Sequence, residues 1–389
     1  MKILVASDSY KGCMTSKTAN AQIAAGLTLS LPSAQIEQFP ISDGGEGMAE
    51  AFASACHGKL YMAQTRDLYG MPIEVRWAYD PSTNTACIDA ASCLGLTLYP
   101  KEQRRPMEAS SYGLGVLIAE ILRTRPERLI IGLGGTGTND GGMGILAALG
   151  CRFFDASRRS LAAKAGNLHK IAFISKSHFR LPRQTQIIAA CDVDNPLLGS
   201  HGATWFFGKQ KGLSAQEQKR LEDAMAHYEA KLNQTFHVST ANMASAGAAG
   251  GIGAVLIGVM RAKARSGVSL LAEYGHLEEK IASSQLIFTG EGQTDAQTLH
   301  GKVVDVLCEM GKKANIPVIC LSGALGIGYE GLYERGAAGI FSTADRAMSF
   351  KTALESGPTK LLKLSYNIGM LLSRIMPAAR NDEAKSKSE

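Results

Sequence analysis

The chain has 389 residues, 45% hydrophobic and 20% charged, a balance ordinary for a globular protein and a length too great for one simple core, so two domains are the first expectation. The formal net charge is +6, but Lys and Arg fall in small separate groups such as Arg104-Arg105, Arg158-Arg159 and Arg261-Lys263-Arg265, and the 6% of aromatic residues do not interleave with them. A nucleic-acid footprint would gather that charge on one face or helix, so no nucleic-acid partner is expected and the mild excess suits small anionic substrates. Eight cysteines lie scattered with no C-x-x-C pair, which reads as packed, reduced thiols in a cytoplasmic protein. Asp8 and Lys11 interrupt the opening apolar run, against a signal peptide. The uncharged stretch 244–260 is too short for a membrane span and rich in Gly and Ala. It reads as a buried helix with a turn leading into it, and no membrane partner is expected.

Residues 2–6 (KILVA) predict a strand, followed by a polar loop and a helix over 19–31. A second strand over 35–40 leads into SDGGEG (42–47) and a helix over 48–55. Residues 73–79 and 86–89 read as a hairpin pair. A helix over 110–123, a strand over 129–132, a Gly-rich loop, a helix over 141–149 and a strand over 152–155 follow. The apolar run 187–190 is a further short strand. Then the opening rhythm returns: strand 285–289, GEGQTD, helix 303–314, strand 317–321, SGALG, strand 338–341 and helix 356–376, with 377–389 left as a flexible tail. Each terminal strand ends in small polar residues, and open parallel sheets bind ligands at that end. The expected fold is α/β with two domains. One is a flavodoxin/Rossmann-like parallel-sheet domain built from both chain ends, 1–59 and 280–376. The other is an inserted mixed α/β domain, 60–279.

Four constellations carry chemistry. CDVDNPLLGSHGATWFFGKQKG (191–212) sets Asp192 and Asp194 just after a strand, with Lys209 and Lys211 beyond a Gly-rich turn. Carboxylates at a strand end can hold a metal or accept a proton, and nearby lysines can neutralise phosphate, which together suggest phosphoryl transfer. IGLGGTGTNDGG (131–142) lies between a strand and a helix. Its glycines Gly134 and Gly135 allow backbone N–H groups to approach an anion, while Thr136, Thr138, Asn139 and Asp140 either add ligands or cap the helix. It matches neither a P-loop nor G-x-G-x-x-G. DSYKG (8–12) brings Asp8, Ser9 and Lys11 to the first strand end. SDGGEG and TGEGQTD put Asp43 and Glu46, then Glu291 and Asp295, at what read as adjacent strand ends. Oxygen donors converging there suit Mg2+, with Lys302 within reach of a phosphate.

Taken in order, DSYKG (8–12), SDGGEG (42–47), GLGGTGTNDGGMG (132–144), CDVDNPLLGSHGA (191–203), FGKQKG (207–212), GAAGGIGA (247–254) and TGEGQTDAQTLHGK (289–302) resemble the bacterial glycerate kinases that form 2-phosphoglycerate. The likeness runs from residue 1 to about 372. It implies a two-domain enzyme with its active site in the cleft between domains, ATP as phosphoryl donor, Mg2+, and D-glycerate derived from glyoxylate or sugar diacids as acceptor. A homodimer is left open. Under this resemblance Asp192, with Asp194 second, takes the hydroxyl proton. Lys11 compensates the transferring phosphoryl group or clamps the glycerate carboxylate, and Asp295 or Glu291, with Asp43, holds the metal. The chain departs from the family pattern at Ser7 (usually Pro), at Thr136-Gly137 (usually Ser-Ala), at Lys209 (usually Pro) and at Gln293 (usually Arg). STADRAMS (342–349) also lacks a frequent proline. Gln cannot supply the charge or fork of Arg, so a kinase for another small hydroxy acid stands as the alternative. A non-catalytic nucleotide or anion sensor stands behind it.

Overall fold

The computed structural model describes residues 1–181 and 184–375, and the tail expected over 377–389 lies outside the described residues. In chain order the strands are β1 (Lys2–Val5), β2 (Gln35–Gln38), β3 (Lys59–Arg66), β4 (Pro72–Asp80), β5 (Thr85–Asp89), β6 (Arg128–Gly132), β7 (Arg152–Phe154), β8 (Phe173–Ser175), β9 (Gln186–Ala190), β10 (Lys263–Arg265), β11 (Leu286–Thr294), β12 (Val318–Leu325) and β13 (Ala337–Ser342). They form a five-stranded sheet, β13-β12-β11-β1-β2, a six-stranded sheet, β10-β9-β6-β5-β4-β3, and a small β7-β8 pair. The chain divides into two compact units. One comprises Met1–Ile41 with the residues from His276 onward; the other is Ser42–Gly275.

In the terminal unit every strand pair is parallel. Read from β2, its strands follow the flavodoxin-like order 2-1-3-4-5. Ile3, Val5, Phe288 and Leu321 bury one face against Ile23, Leu27 and Leu361. Those last three lie on helices Ser16–Ser30 and Phe350–Ile375, which meet so closely that a Cβ on Gly26 would sit 2.3 Å from the Leu362 carbonyl oxygen. Ile287 alternates with Phe288 and points to the other face, where helix Val303–Ala314 lays Gly311 over Ile287 and Val318.

Two elements of this unit run longer than the sequence predicts. β11 continues through Thr294, paired with β12 as far as Leu325, so Glu291 is a strand residue rather than part of a loop. The closing helix begins at Phe350, ahead of Pro358. Proline lacks the N–H that would bond the carbonyl four residues back. That carbonyl, on Leu354, accepts the Cys13 thiol at 3.0 Å instead.

The inserted unit builds its sheet from parallel β10, β9, β6 and β5, then antiparallel β4 and β3. The hairpin over 73–89 is present, with Ala78 opposite Cys87. Helix Met48–Ala55, expected in the terminal domain, buries Met48, Ala49, Phe52 and Ala53 and packs on β4, β5 and helix Gly267–Tyr274. The boundary therefore falls at 41/42 rather than 59/60, because this helix's apolar face finds its partners in the inserted sheet. The single helix expected within 244–260 is instead Ala248–Gly253 followed by a π-helical turn, Ala254–Val259, with Ala249, Gly250 and Gly251 left-handed. Among the described residues no helix is long and apolar enough to cross a membrane.

Candidate active site

In the terminal unit a cavity of about 420 Å³ opens at the carboxyl ends of β1 and β11. These strands flank the switch point of the flavodoxin-like order, where such sheets place their ligands. Asp8, Ser9 and Lys11 line it from the β1 loop. Glu291, Gln293, Asp295 and Lys302 line it from β11 and the segment that follows. The Asp8 carboxylate accepts the Ser9 N–H at 2.7 Å, and the Asp8 N–H donates to the Gly290 carbonyl, so the loop is pinned to β11. Glu291 is buried and accepts the hydroxyls of Thr294 (3.2 Å) and Thr298 (2.7 Å), with the Lys302 ammonium 3.9 Å away. Burial raises its pKa, opposed by the Thr298 hydroxyl and the Lys302 charge. Asp295 caps the turn Ala296–Leu299 through the Gln297 N–H and accepts Gln293 Nε2 at 2.8 Å.

In the inserted unit the carboxyl ends of β5, β6, β9 and β10 gather a second polar set. Asp192, exposed just beyond β9, accepts the Gly267 N–H at 3.2 Å. Asp194 is also exposed, and its carbonyl accepts the Ser245 N–H. The SDGGEG loop is held here too. Gly44 O accepts the Gly134 N–H at 3.0 Å, Asp43 Oδ1 accepts the Gly45 N–H, and Asp89 accepts the Gly47 N–H at 2.6 Å. Part of the Gly-rich loop is packed as a turn. The N–H groups of Gly134, Gly137, Gly141 and Gly142 donate to Gly44, Leu94, Gly250 and Asp140. Asp140, fully buried, also accepts Gly144 N–H and both the N–H and hydroxyl of Ser111, and so caps helix Met143–Ala148. Thr136, Thr138 and Asn139 are buried, Gly135 is exposed, and Asn139 Nδ2 lies 3.3 Å from Thr204 Oγ1.

The two lysines expected to meet phosphate part company. Lys209 is exposed. Lys211 is 3% exposed, and its ammonium donates to the Thr138 carbonyl at 2.6 Å. Burial lowers its pKa to about 7, against the opposing pull of Asp140. Structurally it braces the loop from within.

Strand order also corrects the expected adjacency of the strand ends that carry the two acidic loops, since β1 lies between β2 and β11. Glu291 and Asp295 share the terminal pocket, whereas Asp43 belongs to the inserted unit. Among the described residues no three His, Cys, Asp or Glu side chains gather to hold a metal. Mg2+ beside a nucleotide needs only one or two carboxylates, its remaining positions going to water and phosphate oxygens. The oxygen donors Glu291 and Asp295 fit that requirement.

Comparison with known proteins decides the family. The model of the Glycerate kinase family matches residues 3–373. The chain belongs to the glycerate kinase family. It is 34% identical to the glycerate kinase of Halalkalibacterium halodurans over 373 residues, covering 95% of this chain and 98% of that one. It is likewise 34% identical to the glycerate 2-kinase of Escherichia coli K12 over 375 residues, 96% and 98% of the two chains. The crystal structure of a proposed glycerate kinase 2 from Salmonella typhimurium LT2 matches with a TM-score of 0.79 at 34% identity, covering 96% of this chain and 98% of that one.

Against the family pattern, Ser7 uses a donor that proline lacks: its N–H reaches Asn20 Oδ1 at 2.8 Å, tying the first loop to helix Ser16–Ser30. Gln293 takes hold of Asp295 directly. Asp89 escaped notice in the sequence although it ends a recognisable strand. It is buried, and burial together with Glu50 raises its pKa to about 7. The pocket's apolar wall, Cys13, Met14 and Leu354 among it, also escaped, since no local pattern joins residue 13 to residue 354.

Proposed function

We propose that this glycerate kinase family member transfers the γ-phosphoryl group of ATP to the 2-hydroxyl of D-glycerate, yielding 2-phosphoglycerate and ADP. The observation that carries the reading is the pocket at the β1/β11 switch point, which Lys11, Lys302, Glu291 and Asp295 line together. Phosphoryl transfer asks mostly for positioning and charge compensation, and these residue types provide both. Lys11 and Lys302 offset charge on the phosphoryl oxygens. Asp295 and Glu291 hold Mg2+, which when bound neutralises phosphate charge. Asp192 takes the proton released by the attacking hydroxyl. The Gly267 N–H anchors one of its oxygens, so the carboxylate is oriented. Asp194 is the second choice for that role.

The test is phosphoryl transfer from MgATP to D-glycerate with the product identified by phosphorus NMR. A 2-phosphoglycerate signal is expected, and Asp192→Asn should lower kcat by about 10²- to 10⁴-fold at unchanged folding. Gln293 lines the pocket in place of an arginine and motivates the second reading, another small hydroxy acid as acceptor. Transfer to such an acid but not to D-glycerate would leave only the reaction class standing.

A further inference from the structure

The terminal pocket has a second character that phosphate chemistry does not use. Cys13, Met14, Met348, Phe350, Ala353 and Leu354 line it alongside the charged residues. Contacts tie several members of each set together. The Cys13 thiol bonds the Leu354 carbonyl, and a Cβ on Gly357 would lie 2.5 Å from Cys13 Sγ and 3.4 Å from Met14 Cε. Cys13, Met14 and Leu354 therefore sit together against the first turns of helix Phe350–Ile375, which also brings Phe350, Ala353 and, further along, Lys360 to the cavity. Glu291, Lys302, Gln293 and Asp295 form another group, joined by the Glu291–Lys302 pair, the Gln293–Asp295 bond and the Thr298 hydroxyl, which donates to Glu291 and accepts the Asp295 N–H. A three-carbon hydroxy acid has nothing to offer an apolar wall, and about 420 Å³ is the size of pocket that takes a far larger ligand.

We infer that this wall is the nucleoside subsite: the base and ribose of a nucleoside di- or triphosphate lie against Met14, Met348, Phe350 and Leu354, with the phosphates toward Lys11 and Lys302. The inference rests on the ATP-dependent reading above and assigns the donor, rather than the acid, to the terminal unit. Phe350 is 78% exposed, so it serves no core and is available to cover a flat ring. Burying a base against such a wall is favoured by the apolar area it removes from water.

Calorimetric binding of ADP, inorganic tripolyphosphate and D-glycerate to the whole protein tests this without turnover. Ala353→Trp fills the apolar half and should weaken ADP by about tenfold or more, leaving tripolyphosphate unchanged. Phe350→Ala removes an exposed side chain and should weaken ADP by about threefold to tenfold, with an unchanged urea midpoint showing that folding is intact. Unaltered ADP affinity in both variants, equal weakening of ADP and tripolyphosphate, or selective loss of D-glycerate binding would each overturn the inference, as would a wild-type protein that does not bind ADP. A wild type that binds ADP but phosphorylates no hydroxy acid defeats the proposed reaction and leaves the subsite to be judged by the variants.

Discussion

Replacing Lys211 by methionine tests the idea that this residue braces a loop and does not meet substrate. Its ammonium is buried on the Thr138 carbonyl, with a pKa lowered by burial from 10.5 to about 7. Between those values the unfolded chain holds a proton that the folded protein does not, so stability rises with pH across the window. The penalty is present in full below about pH 7. A gap of about 3.5 pH units at about 1.4 kcal/mol each amounts to about 5 kcal/mol, of which about 2 to 3 kcal/mol falls between pH 7 and pH 9. Lys211→Met titrates in neither state. The stability of wild type minus variant should therefore climb by that amount from pH 7 to pH 9. At pH 9 the variant should be the weaker by about 1 to 3 kcal/mol, because Thr138 O has lost its donor. Both tryptophans, Trp77 and Trp205, lie in the same unit as Lys211, so urea unfolding followed by their fluorescence reads the relevant transition. A difference that stays flat with pH would refute the reasoning and mean that attraction to Asp140 outweighs burial.

Gly250, with φ 68°, leaves no room for a side chain, since a Cβ there would lie 2.0 Å from Thr138 O and 2.8 Å from Lys211 Nζ. Gly250→Ala should cost more than about 3 kcal/mol, while Gly199→Ala, at φ 92° with open space around it, should cost only about 1 to 2 kcal/mol of backbone strain; equal urea midpoints would contradict the packing. Asp89, with its pKa raised from 3.8 to about 7, keeps its proton when folded where the unfolded chain has lost it, so its contribution is complete below about pH 4 and disappears as pH rises through 7. Relative to Asp89→Asn, the wild type should lose up to about 4 kcal/mol over that range, and a constant difference would show that the carboxyl ionises normally. Glu291→Gln retains an oxygen for the Thr294 and Thr298 hydroxyls but removes the charge. The enhancement of ADP binding by Mg2+ should fall by about tenfold or more, and an unchanged Mg2+ titration would free Glu291 from any metal role.

Much of the architecture was open to reading because it is local. The apolar runs that became β1, β6 and β9, helix Val303–Ala314 and the hairpin over 73–89 each carry their own periodicity or punctuation. Helix Ala215–Phe236 shows the limit. Its capping box, Ser214 with Glu217, is a local signal that was there to be read, yet its mostly polar sequence hides the buried face of Leu221, Met225, Tyr228 and Leu232. Strand β3 gives little signal in sequence for the related reason that most of its residues are exposed. Segment 42–55 follows the terminal strands in the chain, whereas its helix makes its contacts with β4, β5 and the distant helix Gly267–Tyr274.

The order of motifs along the chain by itself determined the family, the α/β class and the residue types available for phosphoryl transfer, because these depend on identity and spacing alone. Only the tertiary structure decided what each of those residues faces. Lys209 and Lys211 are two positions apart, yet one is exposed and the other buried beneath Thr138. The glycines of 134–142 promise free N–H donors in sequence, but in the fold most of them are hydrogen-bonded to neighbouring loops. A side chain's charge state and a backbone group's availability depend on atoms brought near by folding, which no spacing along the chain encodes.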